Sequence, residues 1–268
     1  MTIRLLGTGA ADGIPGFFVD NEVSRWAREN GGKDIRTRSG AIVDGVLKID
    51  FPPDTYHQVV RDRLHPKDWT AVVFTHSHED HLAVSEIQYA LYPFTERDHL
   101  GLSIYGNSQV CAKFRERYPE WPMELVETRS FQCFDHGPYQ ITPIAARHKE
   151  DEDCQNHIIQ RDGKTLLYAT DTGVWSHETF EFLTQYKVDV LVIECTDGLR
   201  KGTYAGHLDI EACCEVVEAL RQTGVLSDAS RVVTTHHAST GGARHCDLER
   251  ALGKYRIQPG YDGMTIRF

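Results

Sequence analysis

The stretch Thr75-His76-Ser77-His78-Glu79-Asp80-His81-Leu82 sets three imidazoles and a carboxylate close together, directly after the apolar run Ala71-Val72-Val73-Phe74. Imidazole is the commonest metal ligand among side chains, and a carboxylate beside it suits hard or borderline divalent cations. Along a strand, adjacent side chains face opposite ways. A strand that stops near Phe74 releases His76, His78, Asp80 and His81 into a turn, where they can converge on ions. The plain alternative is a polar loop with incidental histidines. With this chain's residue frequencies such a pattern arises by chance in roughly 0.3% of sequences, so the metal reading prevails. One turn does not complete a site. Three further apolar runs end in metal-binding side chains: residues 141–147 lead into His148, residues 166–170 into Asp171, and residues 232–235 into His236-His237.

Positioning these groups requires strands whose ends meet. Apolar runs predict strands over residues 2–7, 40–50, 70–75, 102–106, 139–147, 157–161, 164–170, 188–195, 230–236 and 263–268. Helical patterns cover residues 83–92, 108–118, 176–186, 209–222 and 247–254. The clearest is 209–222, where Ile210, Cys213, Cys214, Val217 and Leu220 recur at three- and four-residue spacing. Asp209 is placed to cap it and Gly224 to stop it. Residues 11–38 show no periodicity and read as a loop that covers something. No repeat or linker divides the chain, so residues 1–268 read as one domain of sheets flanked by helices.

The chain has 268 residues with 40% hydrophobic and 25% charged side chains, ordinary for a soluble globular protein. No apolar stretch approaches the ~20 residues that span a bilayer, and the N-terminus lacks a signal peptide's apolar segment; a cytoplasmic location is expected, with no membrane partner. A formal charge of −10 argues against nucleic acid as the main partner, because such binding leans on clustered Lys and Arg. Seven cysteines, an odd number without a CxxC pair, predict reduced and mostly buried thiols.

The ordered set His76-x-His78-x-Asp80-His81, then His148, Asp171 and His236, resembles the metallo-β-lactamase superfamily over nearly the whole chain. The opening Leu6-Gly7-Thr8-Gly9-Ala10-Ala11-Asp12-Gly13-Ile14-Pro15, Ile49-Asp50 before a turn, and the closing Gly260-Tyr261-Asp262-Gly263-Met264 narrow the likeness. They resemble the branch that holds the cyclic ribose-phosphate phosphodiesterase of the carbon–phosphorus lyase pathway, related to the tRNA 3′-end processing ribonucleases. The resemblance implies an α/β fold, a four-layer αββα sandwich. It also implies two divalent metal ions, zinc or manganese. His76, His78 and His148 would hold one ion; Asp80, His81 and His236 would hold the other, with Asp171 bridging. His236 is preferred to its neighbour His237 because the first histidine after the threonine is the one that matches the family. Asp50 would orient a ligand from behind.

The reaction so implied is hydrolysis of a small phosphodiester, a cyclic one such as ribose 1,2-cyclic phosphate, by a hydroxide bridging the metals. Two dications, two carboxylates and that hydroxide leave a charge of about +1, suited to a singly charged phosphodiester. Asp80 and Asp171 are thus catalytic as well as ligating. His207, just before the 209–222 helix, would assist phosphate binding or protonate the leaving group, helped by the helix dipole. Arg147 and Lys149, and Arg200 and Lys201, are weaker candidates for contact with phosphate. The branch's cysteine-rich structural zinc site is not expected, since residues 16–38 contain no cysteine. A lactone or thioester hydrolase on the same metals, or a tRNA 3′-processing nuclease, is the alternative activity. A homodimer fits the family's habit.

Overall fold

The computed structural model describes residues 1–202 and 204–268. Its strands are β1 (Thr2–Gly7), β2 (Gly40–Val43), β3 (Leu47–Ile49), β4 (Ala71–Val73), β5 (Ser103–Gly106), β6 (Leu125–Glu127), β7 (Phe134–His136), β8 (Tyr139–Ala145), β9 (Gln155–Arg161), β10 (Lys164–Ala169), β11 (Val188–Glu194), β12 (Leu226–Thr235), β13 (Ile257–Pro259) and β14 (Thr265–Arg267). The helices are α1 (Glu22–Asn30), α2 (Thr55–Asp62), α3 (Val84–Ile87), α4 (Ser108–Arg117), α5 (His177–Leu183), α6 (Ile210–Gln222) and α7 (His245–Leu252).

Two seven-stranded sheets form, in the orders β14-β1-β2-β3-β4-β5-β6 and β13-β12-β11-β10-β9-β8-β7. Their central strands are apolar on both faces because both faces are covered, which is why they read as unbroken runs rather than alternations. Ala71, Val73, Val190 and Val192 pack between the sheets. Their neighbours point outward: Val72 and Phe74 lie beneath Ile87, Val110 and Phe114 of α3 and α4. Leu191 and Ile193 lie beneath Leu183, Val217 and Leu248 of α5, α6 and α7. This is the αββα sandwich. Parallel pairing of β3 with β4, of β10 with β11 and of β11 with β12 brings several carboxyl ends to one side of the sandwich. That side is where open α/β sheets bind ligands.

The structure differs from the sequence reading in places, each with a local cause. The strand predicted over 40–50 is a hairpin, because Asp44 (φ 49°) and Gly45 (φ 78°) make the tight turn between β2 and β3. The helix predicted over 83–92 is α-helical only over Val84–Ile87 and tightens before Pro93. The aperiodic stretch 11–38 contains α1, whose Asn21 cap accepts from the Ser24 N–H; its buried face, Val23, Ser24 and Ala27, is too small and polar to show as a period. The helix α2 and the short strands β6, β7 and β13 were also missed. Each offers few buried apolar residues of its own. All seven cysteines are free thiols, five of them buried. Among the described residues no helix is long and apolar enough to cross a membrane.

Candidate metal centre

Every group singled out for metal binding lies just past a strand end. The 76–81 loop follows β4, His148 follows β8, Asp171 follows β10 and His236 follows β12. Asp171 and His236 adopt positive φ (52° and 55°), as does Asp50 after β3 (55°). For non-glycine residues this left-handed geometry costs of order 1–3 kcal/mol, so surrounding contacts must hold it. It turns each side chain off the strand's path and toward the common centre.

Two clusters result. His76 Nε2 lies 3.0 Å from His78 Nδ1, and His148 Nε2 lies 3.1 Å from the same atom. Asp171 Oδ2 lies 2.9 Å from His81 Nε2 and 3.1 Å from His236 Nε2, while Asp80 Oδ2 is 3.2 Å from His81 Nε2. The other Asp171 oxygen, Oδ1, is 3.5 Å from His148 Nε2. Asp171 therefore presents one oxygen to each cluster, the placement required of a bridge. Nitrogens about 3 Å apart suit a shared ion at the ~2.0–2.1 Å typical of zinc–imidazole bonds.

The backs of the rings fix which nitrogen faces inward. His81 Nδ1 is 2.8 Å from Asp50 Oδ2, and Asp50 also accepts from the Thr75 N–H and hydroxyl. The Thr75 hydroxyl, donating to Asp50, can accept from His76 Nδ1 at 3.0 Å. His148 Nδ1 donates to the Gly206 carbonyl at 3.1 Å. The Thr196 hydroxyl donates to Glu194 and accepts from His236 Nδ1 at 2.8 Å. Four of the five histidines in the two clusters thus carry Nδ1–H outward and turn a bare Nε2 to the centre; His78 turns Nδ1. Such backing fixes the tautomer a metal needs.

The donor set also passes a test independent of family. His81 Nε2 and His236 Nε2 are buried and make no hydrogen bond, although carboxylate oxygens lie within 3.2 Å. Orphaned buried nitrogens are costly unless something else occupies them. Burial would raise the carboxyls of Asp80 and Asp171, yet His81 and His236 hold both well below the usual carboxylate range. Burial pulls His76 and His148 down. It pulls His81 down too, but the carboxylates of Asp171, Asp80 and Asp50 together outweigh it and raise His81 well above its ordinary value. Without a cation, a proton on His81 balances the two aspartates. The residues fit divalent metal.

His207 lies at the rim, its ring 5.0 Å from that of His148 and stacked 5.5 Å from that of His236. The helix dipole invoked for it is a correction: α6 begins at Ile210, and the Asp209 carboxylate already caps it by accepting from Ala212 N–H. His207 is held instead by Glu194, whose Oε1 accepts from Nδ1 at 2.9 Å. Glu194 also accepts from the Thr172, Thr196 and Leu208 N–H groups. Burial lowers His207, but the hydrogen bond and charge of Glu194 prevail and push it up to about 9. Sequence reasoning gave Glu194 no role, although it too ends an apolar strand. His237 turns away from the centre, toward the Cys195 carbonyl and Thr234. Of the basic candidates, Lys149 pairs with Asp151 and Glu152, and Lys201 with Glu211; Arg147 is exposed.

Fold and centre together define a class, the metal-dependent hydrolases of the metallo-β-lactamase type. The chain belongs to the β-lactamase superfamily domain family, whose model matches residues 43–237. Among solved structures it is similar to a diphosphatase from the PhnP family, at 21% identity and TM-score 0.79, covering 100% of this chain and 97% of that one. It is similar to Zn(2+)-bound PqqB from Methylobacterium extorquens, at 16% identity and TM-score 0.78, with 100% of each chain covered. The short form of human tRNase Z matches at 16% identity and TM-score 0.66, covering 100% of this chain and 99% of that one. Identities this low show a shared fold.

Proposed function

We propose that the protein is a dinuclear metal-dependent phosphodiesterase acting on a small anionic, cyclic phosphodiester. The carrying observation is the split presentation of Asp171, one oxygen toward the three-histidine cluster and the other toward His81 and His236. His76, His78 and His148 would hold one cation; Asp80, His81 and His236 the other, with Asp171 shared. Zinc or manganese would lower the pKa of bound water from 15.7 toward ~7 and neutralise phosphoryl oxygens.

The chain's own residues supply the rest. Asp50, Thr75, Thr196 and the Gly206 carbonyl keep the imidazoles in register. His207, charged at neutral pH through its pairing with Glu194, attracts the phosphate and carries on Nε2 the proton the leaving alkoxide needs. A diphosphatase and a tRNase among the similar structures, both named for cleavage at phosphorus, support phosphate chemistry over the lactone and thioester alternatives. The charge of −10 favours a small substrate over nucleic acid. A cytoplasmic, single-domain protein that pairs as a homodimer completes the reading.

The test is to purify the protein, count its metals, and assay bis(p-nitrophenyl) phosphate beside a thioester and a lactone. About two metals per chain with turnover of the phosphodiester is the expected result. Turnover confined to the lactone or thioester would keep the metal centre and sink the phosphodiesterase.

A further inference from the structure

The three-histidine cluster is assembled from both sheets, since His76 and His78 follow β4 and His148 follows β8. Between the two segments lies Glu152, whose side chain has no exposure to solvent. Its carboxylate takes four donors: the Ser77 N–H at 2.8 Å, the Ser77 hydroxyl at 2.6 Å, Asn107 Nδ2 at 2.8 Å and Lys149 Nζ at 3.2 Å. Ser77 stands between His76 and His78, and Lys149 follows His148. Asn107 caps α4, and from α4 Lys113 Nζ donates to the Ser77 carbonyl at 2.6 Å. Burial favours the neutral acid, yet these donors hold the carboxyl below its ordinary range, so the group is ionised. None of the chemistry assigned above uses it.

We propose that Glu152 is a positioning residue, which sets the spacing of His76 and His78 against His148 and so governs metal affinity in that half of the centre alone. The proposal rests on the metal reading above. Ligand distances must fall within about 0.2 Å of ideal for tight binding, and a brace joining the two ligand segments acts on that tolerance. The Gln155 N–H donates to the Thr75 carbonyl at 2.8 Å and joins the same segments through backbone. Loss of the carboxylate therefore leaves the sheets attached and alters the finer register. His81 and His236 are backed by Asp50 and Thr196, which Glu152 does not touch.

Glu152→Gln keeps the volume but exchanges one acceptor oxygen for an amide donor, which must face either the Ser77 N–H and Asn107 Nδ2 or the Ser77 hydroxyl and the Lys149 ammonium. The full chain would be loaded with cadmium-113 and followed by NMR, its two resonances assigned with His78→Ala and His236→Ala, then titrated with a chelator. The expected result is a roughly 10–100-fold loss of affinity for the ion of the three-histidine cluster, with the other unchanged. Ser77→Ala, which removes one donor and keeps the N–H, should weaken the same resonance by less, and it decides the matter if Glu152→Gln fails to fold. Equal weakening of both ions, or a lower Tm with both affinities intact, would overturn the proposal and leave Glu152 a structural brace. A wild-type protein that binds no cadmium would remove the metal reading itself, and this proposal with it.

Discussion

At the residue scale, the geometry of the centre is set by what stands behind each imidazole. Asp171 serves both clusters, so Asp171→Ala should strip both metals and reduce phosphodiester turnover by several orders of magnitude, read by metal analysis and kcat. His207 serves neither as proposed. His207→Ala should lower kcat by about 10²–10⁴, the usual contribution of a general acid, with metal content intact; loss of metal would refute the role. Glu194→Gln gives a subtler readout. Since Glu194 raises His207 to about 9, its removal should move the basic limb of the kcat–pH profile to lower pH, and an unmoved limb would separate that limb from His207. His76-x-His78-x-Asp80-His81 was legible in the sequence because ligands in one turn are neighbours in the chain. Glu194 and Glu152 were not, because a carboxylate's partners reveal its role and those partners come from distant segments.

At the scale of elements, close approach matters more than propensity. A Cβ on Gly173 would lie 1.8 Å from the Ala205 carbonyl oxygen, in the segment that carries His207 and whose Gly206 carbonyl backs His148. Gly173→Ala should push that segment off the centre, lowering activity well before it unfolds the protein; unchanged kinetics would show that the segment gives way freely. The segment's other anchor is Tyr204, whose hydroxyl donates to the His148 carbonyl. Periodicity located α6 to within one residue because five of its apolar positions face the core. It missed α1 and α2, whose buried faces hold a single valine beside serine, threonine, glutamine and alanine and carry no hydrophobic period.

At the scale of the molecule, the two ends of the chain close on one another. Asp262 accepts from the N–H and hydroxyl of Thr8, the N–H and hydroxyl of Thr37, and Arg61 Nη1, all at 2.7–2.9 Å. Asp262→Ala orphans these donors and should cost about 3 kcal/mol, lowering Tm by roughly 6–12 °C; a change under a degree would contradict the staple. Acid should act through His157, wholly buried against the Phe74 carbonyl and lowered by burial to about 4. The unfolded chain takes up this proton near pH 6.5 and the folded one only near pH 4. Its contribution is therefore complete above pH 6.5 and is lost as pH falls toward 4, by about 3 kcal/mol. Urea unfolding at pH 7 and pH 4.5 should show a smaller difference for His157→Gln than for the wild type. The sequence alone determined the strands that end in metal-binding side chains and the sheets flanked by helices, because burial on both faces writes unbroken apolar runs and turn residues are adjacent in the chain; the αββα class followed from the likeness of the ordered motif to the metallo-β-lactamase superfamily. Only the tertiary structure decided that Glu194 rather than a helix end holds His207 and that Glu152 joins the two histidine segments, and it showed how a positive φ turns His236, the histidine preferred from the sequence, to the centre. Side-chain direction after a strand depends on a single backbone dihedral, and hydrogen-bond partners tens of residues apart leave no local mark.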